Sequence, residues 1–127
     1  MAVEITDGTI KGKIFSTINP EVKEIPITVN TIYADWGRAV RIGKIVFVTI
    51  DIIKVIGAVD GSASSTDYIV SGLPPARDFT LHTMISNGGH TIRVAITGEG
   101  KMKEHWTHAW QKAQGDELEE TLIYVSQ

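Results

Sequence analysis

The sequence predicts an all-β fold of antiparallel strands, and three observations carry that prediction. Residues 43–53 form a long β-type run whose even positions, Val46, Val48, Ile50 and Ile52, are all apolar. Residues 90–98 alternate cleanly, with Ile92, Val94 and Ile96 facing one way and Thr91, Arg93, Ala95 and Thr97 the other. Between such runs stand turn signals: Asn19-Pro20, Asn87-Gly88-Gly89 and Gly98-Glu99-Gly100. Many short strands with this punctuation make an antiparallel sandwich or barrel.

The long run has an untidy second face. Its odd positions place Ile45, Phe47 and Ile53 beside Thr49 and Asp51. A strand with one face in water alternates more cleanly than this. Both faces want cover, so the strand points to a neighbouring subunit or another covering segment.

The remaining elements follow in order. Residues 9–18 alternate Ile10, Ile14 and Ile18 against Lys11 and Lys13 and read as a strand. Residues 25–34 are rich in β-branched and aromatic side chains, with Pro26 fitting an edge. Asp35-Trp36-Gly37-Arg38 reads as a turn, residues 39–42 as a short strand, and Gly43 as a bend or bulge. Residues 57–65 are a loop of small residues, and residues 68–70 a brief strand. Leu73-Pro74-Pro75-Ala76 is a stiff connection, because each proline fixes φ and removes a donor. Residues 79–86 form a strand expected to turn Phe79, Leu81 and Ile85 inward. Residues 101–114 are ambiguous: Met102, Trp106, Ala109, Trp110 and Ala113 have helical spacing, while residues 101–106 also suit a strand. Residues 119–125 close the chain as a last strand.

Composition bounds the function. At 127 residues the chain suits a single domain, 1–127. A net charge of -3 gives no basic footprint for nucleic acid. The chain has no cysteine, which excludes a disulfide framework and a thiolate zinc site. The first residues show neither the basic nor the apolar region of a signal peptide, and no apolar run reaches the length of a membrane span. Synthesis in a cytoplasm without a secretory leader is the expectation, as is no insertion into a membrane.

The order of Trp36-Gly37, Gly43-Lys44-Ile45-Val46, Gly72-Leu73-Pro74-Pro75-Ala76, Asn87-Gly88-Gly89, the run from Ile92 to Met102, Ala113-Gln114-Gly115-Asp116 and Thr121-Leu122-Ile123-Tyr124 resembles the C-terminal head domains of bacteriophage tail-fibre and receptor-binding proteins. The resemblance covers roughly residues 33–125 and leaves 1–32 as N-terminal strands or a stem-like lead-in. It implies a jelly-roll-like β-sandwich at a fibre tip in the virion, assembled as a homotrimer. It implies a bacterial cell-surface glycan and other tail or baseplate proteins as partners; no cofactor is expected. The segment from His105 to Trp110 is heavier than the short loop such heads carry there.

One cluster looks functional. His105, Trp106, His108 and Trp110 could build a sugar platform, since an indole packs on the apolar face of a pyranose while neighbouring polar groups bond the hydroxyls. Equally, its tryptophans could fill a core or a trimer seam. Asp35, Trp36 and Arg38 form a second candidate, with a turn that caps the sandwich as the alternative. His105 and His108 fall short of a metal site unless His82, His90, Glu104 or Asp116 converge on them. The acidic run of Asp116, Glu117, Glu119 and Glu120 suits a solvated edge. No Gly-x-Ser-x-Gly elbow or phosphate loop is present. A non-catalytic saccharide-binding trimer is therefore the leading expectation. A purely structural trimerisation module is the alternative, followed by a small glycan-acting enzyme.

Overall fold

The computed structural model of the protein describes residues 21–59 and 67–127. The strand expected over 9–18 and most of the small-residue loop lie outside the described residues. Within them the chain is all-β and its sheets are antiparallel.

Among the described residues, eleven strands make up three sheets: β1 (Val22–Ile25), β2 (Thr28–Val29), β3 (Ala34–Ile42), β4 (Ile45–Ile52), β5 (Lys54–Val55), β6 (Val70–Ser71), β7 (Thr80–Ile85), β8 (Thr91–Ile96), β9 (Met102–Glu104), β10 (Trp110–Gln111) and β11 (Glu119–Val125). A four-stranded sheet has the order β1-β3-β4-β11 and a five-stranded sheet the order β2-β6-β9-β8-β7, while β10 pairs with β5. Val46, Val48, Ile50 and Ile52 from the first sheet share one core with Val70, Met84, Ile92, Val94, Ile96 and Met102 from the second. Two sheets that bury their inner faces in a common core are consistent with a sandwich.

The period-2 runs fold as their patterns dictate. All four even-numbered side chains of β4 are fully buried, and so are Ile92, Val94 and Ile96 of β8. The closing strand β11 runs antiparallel to β4 from Glu119↔Asp51 to Val125↔Ile45. At one free margin of the two sheets, the Ile85 N–H of β7 donates to Glu120 Oε2 of β11 at 3.1 Å, and Asn87 N–H to Glu117 O at 3.0 Å. A side chain thus satisfies a donor that an edge strand would otherwise leave open.

Several local expectations are corrected. Asp35-Trp36-Gly37-Arg38 is not a turn but part of β3, whose register shifts between Ala34 and Trp36. Gly37 is needed for packing, since a Cβ there would lie 2.9 Å from Ile50 Cδ1 and 3.2 Å from Val29 Cγ2. At Gly43 the chain bends, and there is no bulge. With φ 60° Gly43 forms, with Lys44, the two-residue hairpin joining Ile42 to its partner Ile45. The single strand expected over 25–34 is split at Pro26 into β1 and β2. Its end is a turn in which Asn30 O accepts from Tyr33 and Ala34, and Asn30 Oδ1 accepts the Ile32 N–H. Residues 101–114 contain no helix; they supply β9 and β10.

The facing of β7 is also reversed. Phe79, Leu81 and Ile85 are exposed, and Met84 is the buried residue. Cross-strand register decides this: Met84 pairs with Ile92, His82 with Val94 and Thr80 with Ile96, and those three β8 residues face the core. Paired residues share a face, so the more apolar side of β7 is left outside.

The untidy side of β4 lies on the outer face of the four-stranded sheet, within two apolar cross-strand rows. Val22, Ile42, Ile45 and Val125 form one row, and Val40, Phe47 and Ile123 continue the next from Glu24. Val22, Ile45 and Ile123 are exposed and the other four apolar residues half-buried. Ile53 sits just beyond β4, where its N–H donates to Tyr33 O and its O accepts from Lys112.

Candidate functional site

The structure divides the His/Trp cluster. Trp110 takes the core alternative. It is 7% exposed, lies on β10, and donates its indole N–H to Asp116 Oδ2 at 3.1 Å. Trp106 does the opposite. It is 52% exposed and is the one described non-glycine residue with positive φ, at 54°. That left-handed conformation costs an L-residue about 1–2 kcal/mol. Strain of this kind persists when the neighbours over-determine it.

Both neighbours of Trp106 are pinned. On one side, the His105 N–H donates to Arg93 O at 3.1 Å and continues the pairing of β9 with β8. On the other, the Thr107 N–H donates to Ala58 O, Thr107 O accepts from Ala58, and the buried Thr107 hydroxyl donates to Thr91 O. The backbone between these anchors reverses and throws the indole outward. His105 packs edge-on against both Trp106 and Phe79, with ring centroids 5.9 and 5.3 Å apart. Exposed Phe79 therefore joins the aromatic surface instead of the core.

Trp106, Thr107 and His108 form one wall of a groove of about 440 Å³, with Thr91, Arg93 and Val59 completing it. His108 is exposed. The groove thus combines an accessible indole, a guanidinium, an imidazole and a threonine. An apolar aromatic face beside several polar groups suits a polyhydroxylated ring.

The second candidate lies on the other sheet. Trp36, 43% exposed, and Arg38 are on β3, on the outer face of the four-stranded sheet, and Asp35 is exposed at the register shift. Arg38 is held by Glu24, with Nε to Oε2 at 3.0 Å. Trp36 stands opposite Asp51, which itself pairs with Glu119. The two candidates therefore form separate surfaces.

Two buried carboxylates escape a reading from sequence. Glu104 accepts the Gly57 N–H at 2.7 Å and the Ile56 N–H at 3.1 Å, so a side chain on β9 holds the segment leading to the Ala58–Thr107 bridge. Its signal in the sequence was only its shared parity with Met102. Asp116 belongs to the acidic run that suits a solvated edge, yet it is buried and accepts the Gly88 N–H at 2.8 Å as well as the Trp110 indole. Burial alone would raise its pKa. Hydrogen bonds from Gly88, the Ser86 hydroxyl, Trp110 and the Glu117 N–H outweigh that and hold it below the ordinary carboxylate value. His90 lies 3.6 Å from the same carboxylate. His82, on the inward side of β7, has its pKa lowered by burial.

Among the described residues no three His, Cys, Asp or Glu side chains gather as metal ligands. No family model, curated protein or solved structure matches the chain.

Proposed function

We propose that this chain is a non-catalytic receptor-binding head of the phage tail-fibre kind, working in the virion as a homotrimer that binds a bacterial surface saccharide. The observation that carries the proposal is Trp106. A large indole held half-exposed on a left-handed backbone, with hydrogen bonds fixing the residue on each side, is an expensive arrangement for a surface loop. It is well suited to a platform that must not move when a sugar ring stacks on it. The groove beside it offers donors from Arg93, His108 and Thr91.

The assembly part of the proposal rests on the outer face of the four-stranded sheet. Seven apolar side chains in two adjacent rows form a contiguous patch of the sort that marks an interaction surface. The jelly-roll-like part draws support from strand order, because the chain changes sheet between β1 and β2 and again between β2 and β3. Three weak sites in one trimer would reinforce one another through effective concentration.

That apolar face also favours the alternative, a virion or baseplate module that trimerises without a ligand. Binding to intact bacteria and to a glycan array separates the two, with particle mass followed by light scattering. The proposal expects Trp106→Ala to abolish binding while the mass stays that of a trimer. Retained binding in Trp106→Ala would overturn the groove assignment, and a monomeric wild type would overturn the assembly.

A further inference from the structure

We infer that the Trp106 groove selects saccharides that carry a carboxylate, and that Arg93 is the residue that reads it. This rests on the saccharide reading of the groove and goes beyond it by naming the ligand class. Arg38 is held by Glu24, Arg77 by Asp78, and Arg41 by Gly43 O and the Ser126 hydroxyl. Arg93 differs: among the described residues no carboxylate or other acceptor engages its guanidinium, although its backbone is fixed between β7 and β9. A guanidinium on a fixed strand, with its donors unspent among the described residues, is placed to receive an acceptor from outside.

The surroundings favour an anion. The outward positions of β7, β8 and β9 around it are Leu81, Thr83, Ile85, Thr91, Ala95 and Lys103, with His105 following. None is acidic, in a chain whose net charge is -3. Among the described residues, these positions set no carboxylate side chain beside the Arg93 guanidinium. A guanidinium presents a planar fork that matches a carboxylate through two parallel N–H···O bonds, which a neutral hydroxyl cannot reproduce. Trp106 lines the same groove, so a pyranose stacked on the indole would bring a ring carboxylate toward that fork.

The test uses the full chain and matched probes: oligogalacturonate, hyaluronan oligosaccharides and sialyllactose, each beside its methyl ester, titrated calorimetrically. At least one acid is expected to bind about tenfold or more tightly than its ester. Arg93→Gln should erase that preference while the melting temperature holds, and Arg93→Lys should recover it only in part. Trp106→Ala should weaken acid and ester alike. Equal binding of acid and ester by the wild type would overturn this inference and leave the saccharide reading standing. An acid preference that survives Arg93→Gln would overturn the role of Arg93. No binding by any probe would count against both.

Discussion

The indole N–H of Trp110 donates to Asp116 Oδ2 across 3.1 Å inside the protein, tying β10 to the loop that enters β11. Because the same carboxylate accepts the Gly88 N–H, one aspartate joins the Asn87-Gly88-Gly89 hairpin to β10 and to the loop that enters the final strand. Its pKa is lowered in the folded state, so the sign of its linkage is set. The stability it contributes is complete above the unfolded value, near 3.8, and is lost as pH falls through the lower folded value. Asp116→Asn should reduce stability at neutral pH and flatten the acid limb below about pH 4, as read by urea denaturation at a series of pH values.

Glu104 predicts a larger effect. Replacing it with Leu would take the acceptor away from the part-buried Ile56 and Gly57 N–H bonds, at about 0.5–1.5 kcal/mol for each. Glu104→Gln retains one acceptor oxygen and should cost less. Chemical denaturation measures both, and the Leu variant should also loosen the segment that bridges to Thr107.

Trp106 predicts a conflict between stability and function. Glycine enters the left-handed region freely, whereas alanine keeps the penalty. Trp106→Gly should therefore melt above Trp106→Ala, by the equivalent of about 1 kcal/mol, and neither should bind saccharide. Paired thermal melts and binding titrations decide it.

The outer apolar face predicts an oligomer that one surface charge can dissolve. Ile123 is exposed and pairs with Phe47 in the second apolar row. Ile123→Lys should release monomers in sedimentation velocity while the circular dichroism of the fold stays unchanged. The same substitution on the already exposed face of a monomer would change neither.

Tyr124 marks the alkaline side. Its hydroxyl donates to Pro74 O at 2.6 Å, and burial pushes its pKa up to about 12. A buried phenol must stay neutral, so its contribution is complete below pH 10 and is lost as pH rises toward about 12. Tyr124→Phe should cost about 0.5–1.5 kcal/mol at neutral pH. It should also blunt unfolding in alkaline titrations followed by fluorescence.

What could be read from the sequence was whatever depends on local period. β4 and β8 declare themselves because apolar side chains recur at every second position, and β11, with its Leu122-Ile123-Tyr124-Val125 ending, runs over the residues expected of it. The facing of β7 was not legible, since register with β8, and not its own apolar count, turns Met84 inward. Gly37 resembled a turn residue because its real constraint, the approach of Ile50 and Val29, comes from distant strands. The candidate site was half legible. Trp106 and Trp110 look alike in sequence, and only the left-handed backbone at one and the Asp116 acceptor at the other separate them. Arg93 was not legible because its distinction is structural: among the described residues its guanidinium lacks the partner that the other arginines have.

A crystal structure of the protein soaked with the saccharide that it binds tightest tests the central claim most directly. A pyranose ring should pack on the Trp106 indole with its carboxylate on the Arg93 guanidinium. A sugar seated elsewhere, such as over Trp36, or a Trp106 groove left empty in saturating ligand, would contradict it.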